Sequence, residues 1–141
     1  MSKLARIVTL AALAALAAAP AAAQTAVPDL RGTWKGESQS IVLGGAHPHH
    51  PTAQPTEPRF TSVAFTLTVD KQDGRRFSGT FSSPRGSEAL IAVVSRNGTI
   101  LAVDDDGYVT GSILAPNRME FCYLHLSPAV RVASCTELTK Q

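Results

Sequence analysis

The chain has little of what most function classes need. Its 141 residues include two cysteines, one tryptophan, two methionines and two tyrosines, and charged residues make up 17%. Two cysteines are too few, and too far apart, for a structural zinc site of four close-set ligands. An excess of one charge is missing as well. Lysine and arginine number 13 against 11 aspartate and glutamate, and two of the basic residues, Lys3 and Arg6, lie in an N-terminal leader. The remainder is balanced, so it carries no electrostatic footprint for nucleic acid or for an anionic membrane surface. No Gly-x-Ser-x-Gly elbow, glycine-rich phosphate loop or His-Glu-x-x-His helix occurs, which argues against an enzyme.

Long apolar runs are missing except at the start. Lys3 and Arg6 precede an apolar stretch from Ile7 to Ala19, then Pro20 and Ala21-Ala22-Ala23. This is the pattern of a secretory signal, with cleavage expected before Gln24. A spanning helix needs roughly 20 apolar residues, and no cysteine follows the cleavage site, so no membrane anchor is expected. Residues 1–23 thus read as a signal peptide and 24–141 as one domain of a periplasmic or secreted protein. Oxidising conditions there favour a disulfide between Cys122 and Cys135.

What is present is β-structure. Phe60 to Asp70 alternates Val63, Phe65, Leu67 and Val69 against small polar residues, the period of a half-buried strand. Gln72-Asp73-Gly74 predicts a three-residue turn that pairs Lys71 with Arg75 and Val69 with Phe77. Glu88–Arg96 and Thr99–Asp104 flank Asn97-Gly98, read as a two-residue turn with both φ angles positive. Tyr108–Leu114, Met119–Leu126, Arg131–Thr139 and a first strand over Leu30–Leu43 complete the set. A turn centred on Pro128-Ala129 places Cys122 opposite Cys135 and Glu120 opposite Glu137, an unfavourable pair that suggests a bulge. Eight strands joined largely by tight turns predict an all-β, eight-stranded antiparallel up-and-down β-barrel. A two-sheet sandwich would need longer crossing connections. In the Leu90–Val94 and Ile100–Val103 runs both faces are apolar. An apolar outer wall results, and with it an expected homo-oligomer interface.

Gly32-Thr33-Trp34, at the start of the first strand, resembles the opening of calycin barrels, the lipocalin and avidin families, whose tryptophan plugs the barrel floor. Phe77-Ser78-Gly79-Thr80-Phe81 is similar to the third strand of avidins, and the whole chain resembles small exported bacterial proteins. The resemblance implies a calycin-like barrel over the entire mature chain. It implies ligand-binding positions at Ser40, six residues beyond the tryptophan, and at Phe81, where avidins have tyrosine. It does not extend to biotin: Trp34 stands alone, and Gly36 replaces the avidin asparagine.

An up-and-down barrel alternates its connections between two ends. Trp34 and the compact turns share the floor; Gly44–Arg59, Ser82–Ser87, Asp104–Gly107 and Ser127–Val130 surround the mouth. Ser38 and Ser40 face inward, with Tyr123 and His125 nearer the mouth, and Arg85 is placed to meet an anionic ligand. These six residues, Ser38, Ser40, Phe81, Arg85, Tyr123 and His125, form the expected ligand-binding set. His47, His49 and His50, with His125 and an aspartate of the Asp104–Asp106 triplet, form a candidate metal site, since imidazole and carboxylate suit Zn, Cu or Ni. Six Gly or Pro residues in Gly44–Arg59 predict a mobile connection beside the mouth rather than a strand. No catalytic residues are expected. The functional expectation is a non-enzymatic binding module for a small molecule or ion. The alternative is a protein–protein interaction factor, an inhibitor or envelope accessory protein, that uses the mouth loops.

Overall fold

The computed structural model describes residues 26–45, 47–50 and 56–141; the expected signal peptide lies outside the described residues. Among the described residues there are nine strands: β1 Gly32–Gly44, β2 Arg59–Thr61, β3 Ala64–Asp73, β4 Arg76–Ser83, β5 Gly86–Val94, β6 Thr99–Val103, β7 Tyr108–Ala115, β8 Arg118–Leu126 and β9 Val130–Lys140. Every pairing is antiparallel, β3 to β9 pair in chain order, and β1 pairs with both β3 and β9. The sheet is therefore a closed eight-stranded barrel with one additional short strand, as the turn spacing predicts.

The additional strand is the front of the second stave. β2 and β3 follow one register along β1, from Ser40 opposite Thr61 to Gly32 opposite Val69. The break at Ser62-Val63 is bridged by Ser38. Its backbone N–H donates to Val63 O at 2.8 Å, and its Oγ accepts from Val63 N at 3.1 Å. Ser38 thus holds a strand together where the ladder lapses.

The two hairpins nearest the floor exchange their expected turn types. Asp73 pairs with Arg76, so the first turn has two residues, Gly74 and Arg75. Gly74 alone has positive φ, 56°, as a II′ turn demands. The register then shifts between Val69 and Lys71, and Val69 meets Gly79 rather than Phe77. Val94 pairs with Ile100, so the second turn spans Arg96-Asn97-Gly98, and only Gly98 has positive φ, 87°. That is a three-residue loop with its glycine in the left-handed position. The consequence reaches the walls: Leu90, Val94, Ile100 and Ala102 turn inward, while Ile91, Val93, Leu101 and Val103 are exposed.

The last hairpin keeps its expected register. Cys122 opposes Cys135 and the two form a disulfide, with Cα atoms 4.0 Å apart. Glu120 does oppose Glu137, but no bulge intervenes. Arg118 instead donates from Nε to Glu137 Oε1 at 2.8 Å and offsets the repulsion.

The floor is closed by Trp34, which is fully buried. Its indole N–H donates to Leu30 O at 2.7 Å, and Lys140 Nζ lies 5.4 Å from the ring centroid. Leu30, also fully buried, is tied down by Gln72 Oε1 at 2.6 Å from its own N–H. Above this plug the barrel is filled by Leu67, Leu90, Ile100, Met119, Leu138 and the stacked pair Phe65–Phe81, with ring centroids 4.6 Å apart. Among the described residues no helix is long and apolar enough to cross a membrane.

Candidate functional site

The mouth is closed by histidines. His47, His49 and His50 are 4%, 4% and 1% exposed, so they sit inside the barrel rather than beside it. This corrects the expected solvent-side loop for its described part, 47–50. Proline and glycine rule out a strand there, but they do not rule out burial. His49 and His50 rest edge-on against Phe65, and His47 lies 5.3 Å from His50 and 5.0 Å from His125 between ring centroids.

Each ring faces polar groups from the barrel wall. His47 Nδ1 accepts the His49 backbone N–H at 3.3 Å, which leaves Nε2 facing Tyr123 Oη at 3.0 Å. Tyr123 donates onward to Asp106 Oδ1 at 2.6 Å, and His47 Nε2 lies 3.7 Å from Asp106 Oδ2. His125 Nδ1 donates to the Asp106 carbonyl at 2.9 Å. On the other side, His49 Nδ1 meets Ser83 Oγ at 2.8 Å, and its Nε2 faces Glu88 Oε2 at 3.1 Å. That last approach has the separation of an ion pair without the direction of a hydrogen bond, so among the described residues His49 Nε2 has no hydrogen-bond partner, and neither has His50 Nδ1.

Two local devices aim these groups. Asp104 accepts from Gly107 N at 2.8 Å and turns the chain, so Asp106, although exposed like Asp105, reaches Tyr123 and His125 at the mouth. Gly107 leaves room for Tyr123, because a Cβ there would lie 2.1 Å from the ring.

Burial sets the protonation states. It pulls His47 and His50 down to about 4, with Asp106 partly opposing the effect at His47, so both are neutral at pH 7. Burial likewise pushes Glu88 and Asp104 up, the latter against the hydrogen bond from Gly107. Tyr123 is raised first by burial and then by its bond to Asp106.

Neutral imidazoles and carboxylates are groups that can hold a transition-metal ion. One ligand atom from each of His47, Asp106 and His125 lies within 4.8 Å of the others, and the same holds for Glu88, Asp104 and Asp106. Between the histidines and the core a cavity of about 20 Å³ remains, room for about one water-sized occupant.

The expected ligand-binding residues divide. Tyr123 and His125 join the mouth cluster. Phe81 lines the small cavity from the core side, and Arg85 is exposed on the neighbouring turn. Ser38 and Ser40 do not reach the cluster: Ser40 Oγ bonds Ser38 Oγ at 2.9 Å and Ser134 Oγ at 2.7 Å, a hydroxyl network satisfied within the wall. Glu88 and Ser83 were not foreseen. Glu88 had a signal, since it lies in phase with the inward Leu90 and Val94.

A larger concavity, about 1230 Å³, lies outside the barrel against Ile91, Val93, Leu101, Val103 and Tyr108. It is open, with Arg31, Asp70, Lys71, Asp73 and Arg76 along its edge, and none of these belongs to a convergent group of metal-ligand atoms.

No protein-family model matches the chain, nor does any curated protein. Among solved structures it is similar to the S-type phycobiliprotein lyase CPES from Guillardia theta, with 12% identity and a TM-score of 0.38. That likeness covers 79% of this chain and 88% of the other, and at this TM-score it carries no argument. The calycin-like architecture rests on the closed barrel itself.

Proposed function

We propose that the protein is an exported, non-enzymatic binding module that holds a divalent transition-metal ion at its histidine-closed mouth. The observation that carries this reading is the convergence of His47, Asp106 and His125, with ligand atoms within 4.8 Å of one another. Ligands held at about 2.0–2.2 Å from one ion are at most about 4.4 Å apart, so small side-chain movements complete the set. Zn or Cu fits a His₂-carboxylate site. A small organic ligand is disfavoured, because such ligands occupy roughly 300–1,000 Å³ and the space among the described mouth residues is about 20 Å³. The same lack of substrate-sized space supports a non-enzymatic role. Export is supported by the leader-like N-terminus and the Cys122–Cys135 disulfide.

The test is calorimetric titration of Zn²⁺ and Cu²⁺ into the protein and into a His47→Ala/Asp106→Asn/His125→Ala variant. Binding by the former and its loss in the latter is expected. Equal binding by both, or none by either, would remove the reading.

A second reading, interaction with protein, is favoured by one observation: the continuous exposed wall of Ile91, Val93, Leu101, Val103, Tyr108 and Leu124. Its partner is taken to be a second copy of the chain, because an apolar wall bordered by both Asp70 and Asp73 and by Arg31, Lys71 and Arg76 can match itself.

A further inference from the structure

We propose that the mouth holds two ions, the second bound by His49, Glu88 and Asp104 and joined to the first through the Asp106 carboxylate. This rests on the metal-binding reading above and extends it. The two convergent triads, His47–Asp106–His125 and Glu88–Asp104–Asp106, share only Asp106. Its Oδ2 lies 3.7 Å from His47 Nε2 and its Oδ1 lies 3.8 Å from His125 Nδ1 while accepting from Tyr123, so sharing requires the carboxylate to turn one oxygen toward Glu88 and Asp104.

An acidic trio alone would be no site. Here it is joined by a buried imidazole with one nitrogen that makes no hydrogen bond among the described residues. His49 is 4% exposed, its Nδ1 is occupied by Ser83, and its Nε2 is aimed at Glu88 Oε2 at 3.1 Å with no hydrogen-bond partner. A nitrogen and a carboxylate oxygen at that separation can bind one ion at about 2.0–2.2 Å each, as neighbouring corners of its coordination shell. Ser83 fixes the ring through its other nitrogen, the support that metal-bound histidines ordinarily have.

Charge admits a second ion. Glu88, Asp104 and Asp106 bring three carboxylates within 4.8 Å of one another; one dication leaves this trio at a net −1 and two leave it at +1, so the departure from neutrality is the same. The first site, with two imidazoles, suits Zn or Cu. The second, with one imidazole and carboxylates, suits Zn, Cu or Mn. Ions sharing a carboxylate sit about 3.5–4 Å apart. His50 belongs to neither site; its ring backs the other two against Phe65.

The experiment is native mass spectrometry of the purified protein titrated with Zn²⁺, together with electron paramagnetic resonance of the Cu²⁺-loaded form. Two Zn²⁺ per chain and a spin-coupled Cu²⁺ signal are expected. A Glu88→Gln/Asp104→Asn variant and a His47→Ala/His125→Ala variant should each retain one ion and give an uncoupled signal. Saturation of the wild-type chain at one ion, whichever variant loses it, overturns the second site and leaves the single-ion reading standing. No bound ion overturns both, and two ions without coupling overturn the shared carboxylate. Circular dichroism checks that the variants fold; should one fail to, the wild-type stoichiometry and coupling decide alone.

Discussion

The two ends of this barrel are closed by opposite chemistries. At the floor, Trp34 and Leu30 are fully buried, and the polar atoms they bring are matched locally: the indole N–H by Leu30 O, and the Leu30 N–H by Gln72. At the mouth the buried groups are His47, His49, His50 and Glu88, and two of their nitrogens lack hydrogen-bond partners among the described residues. A buried polar atom left unmatched costs about 1–3 kcal/mol. One end therefore supplies stability, while the other carries a cost that an ion bound as proposed would offset. Binding to the folded state alone adds about 2.7 kcal/mol at a hundredfold excess over Kd.

If that division holds, breaking the floor should cost stability and spare binding. Trp34→Ala removes the largest fully buried side chain, and such truncations cost about 3–5 kcal/mol. This is a large part of the roughly 5–15 kcal/mol that small domains possess. Urea denaturation should show a strongly lowered midpoint, whereas the Zn²⁺ affinity of the molecules that remain folded should change little. A loss of affinity as large as that caused by mutating the mouth would dissolve the distinction between the ends.

Between pH 7 and pH 5 acid should act from the mouth, through His47 and His50, with the raised Glu88 and Asp104 partly opposing them. His47 and His50 titrate near 6.5 in an unfolded chain and at about 4 in the barrel, chiefly because burial disfavours their charged forms. Between those values the unfolded state binds more protons, so stability is full above pH 6.5 and is lost as pH falls toward 4. At pH 5 the loss is about 2 kcal/mol per histidine, an order-of-magnitude figure. His50→Leu removes one titrating group and one unpartnered nitrogen. It should be near neutral at pH 7 and should roughly halve the loss between pH 7 and pH 5 in urea melts. An unchanged acid sensitivity would place its origin elsewhere.

The unequal legibility of the two ends in the sequence has a physical basis. Trp34, the inward phase of Phe65 and Leu67, and the pairing of Cys122 with Cys135 follow from period-two alternation and from one short turn, both local signals. The turn types did not follow, because the Gly74 and Gly98 hairpins are decided by how the flanking strands twist and where a bulge falls, here between Val69 and Lys71. The mouth was harder still. Composition shows that His47–His50 cannot be strand, yet polar residues among prolines read as solvent-facing, and only the tertiary fold turns them inward. Glu88 was legible from its phase with Leu90. The separate directions of Asp104, Asp105 and Asp106 were not, since they depend on the turn that Asp104 caps.

The smallest effect on the monomer is expected midway between the ends, where the wall should neither stabilise the fold nor bind an ion. Leu101 is 51% exposed on the outer face of β6, paired with Val93 and near Ile91 and Val103. Leu101→Lys there should alter folding stability by no more than about 0.5 kcal/mol, as surface substitutions usually do. Its consequence should appear in association. An apolar wall of this kind marks an interface, and a lysine at its centre would have to be desolvated twice in a two-fold dimer, once from each copy. Light scattering at micromolar concentration should give a dimer mass for the wild-type chain and a monomer mass for Leu101→Lys, with Zn²⁺ stoichiometry the same in both. A monomeric wild type would reduce the wall to ordinary exposed apolar surface. A stoichiometry that changed with the mutation would tie the wall to the mouth, and the ends could then no longer be treated as independent.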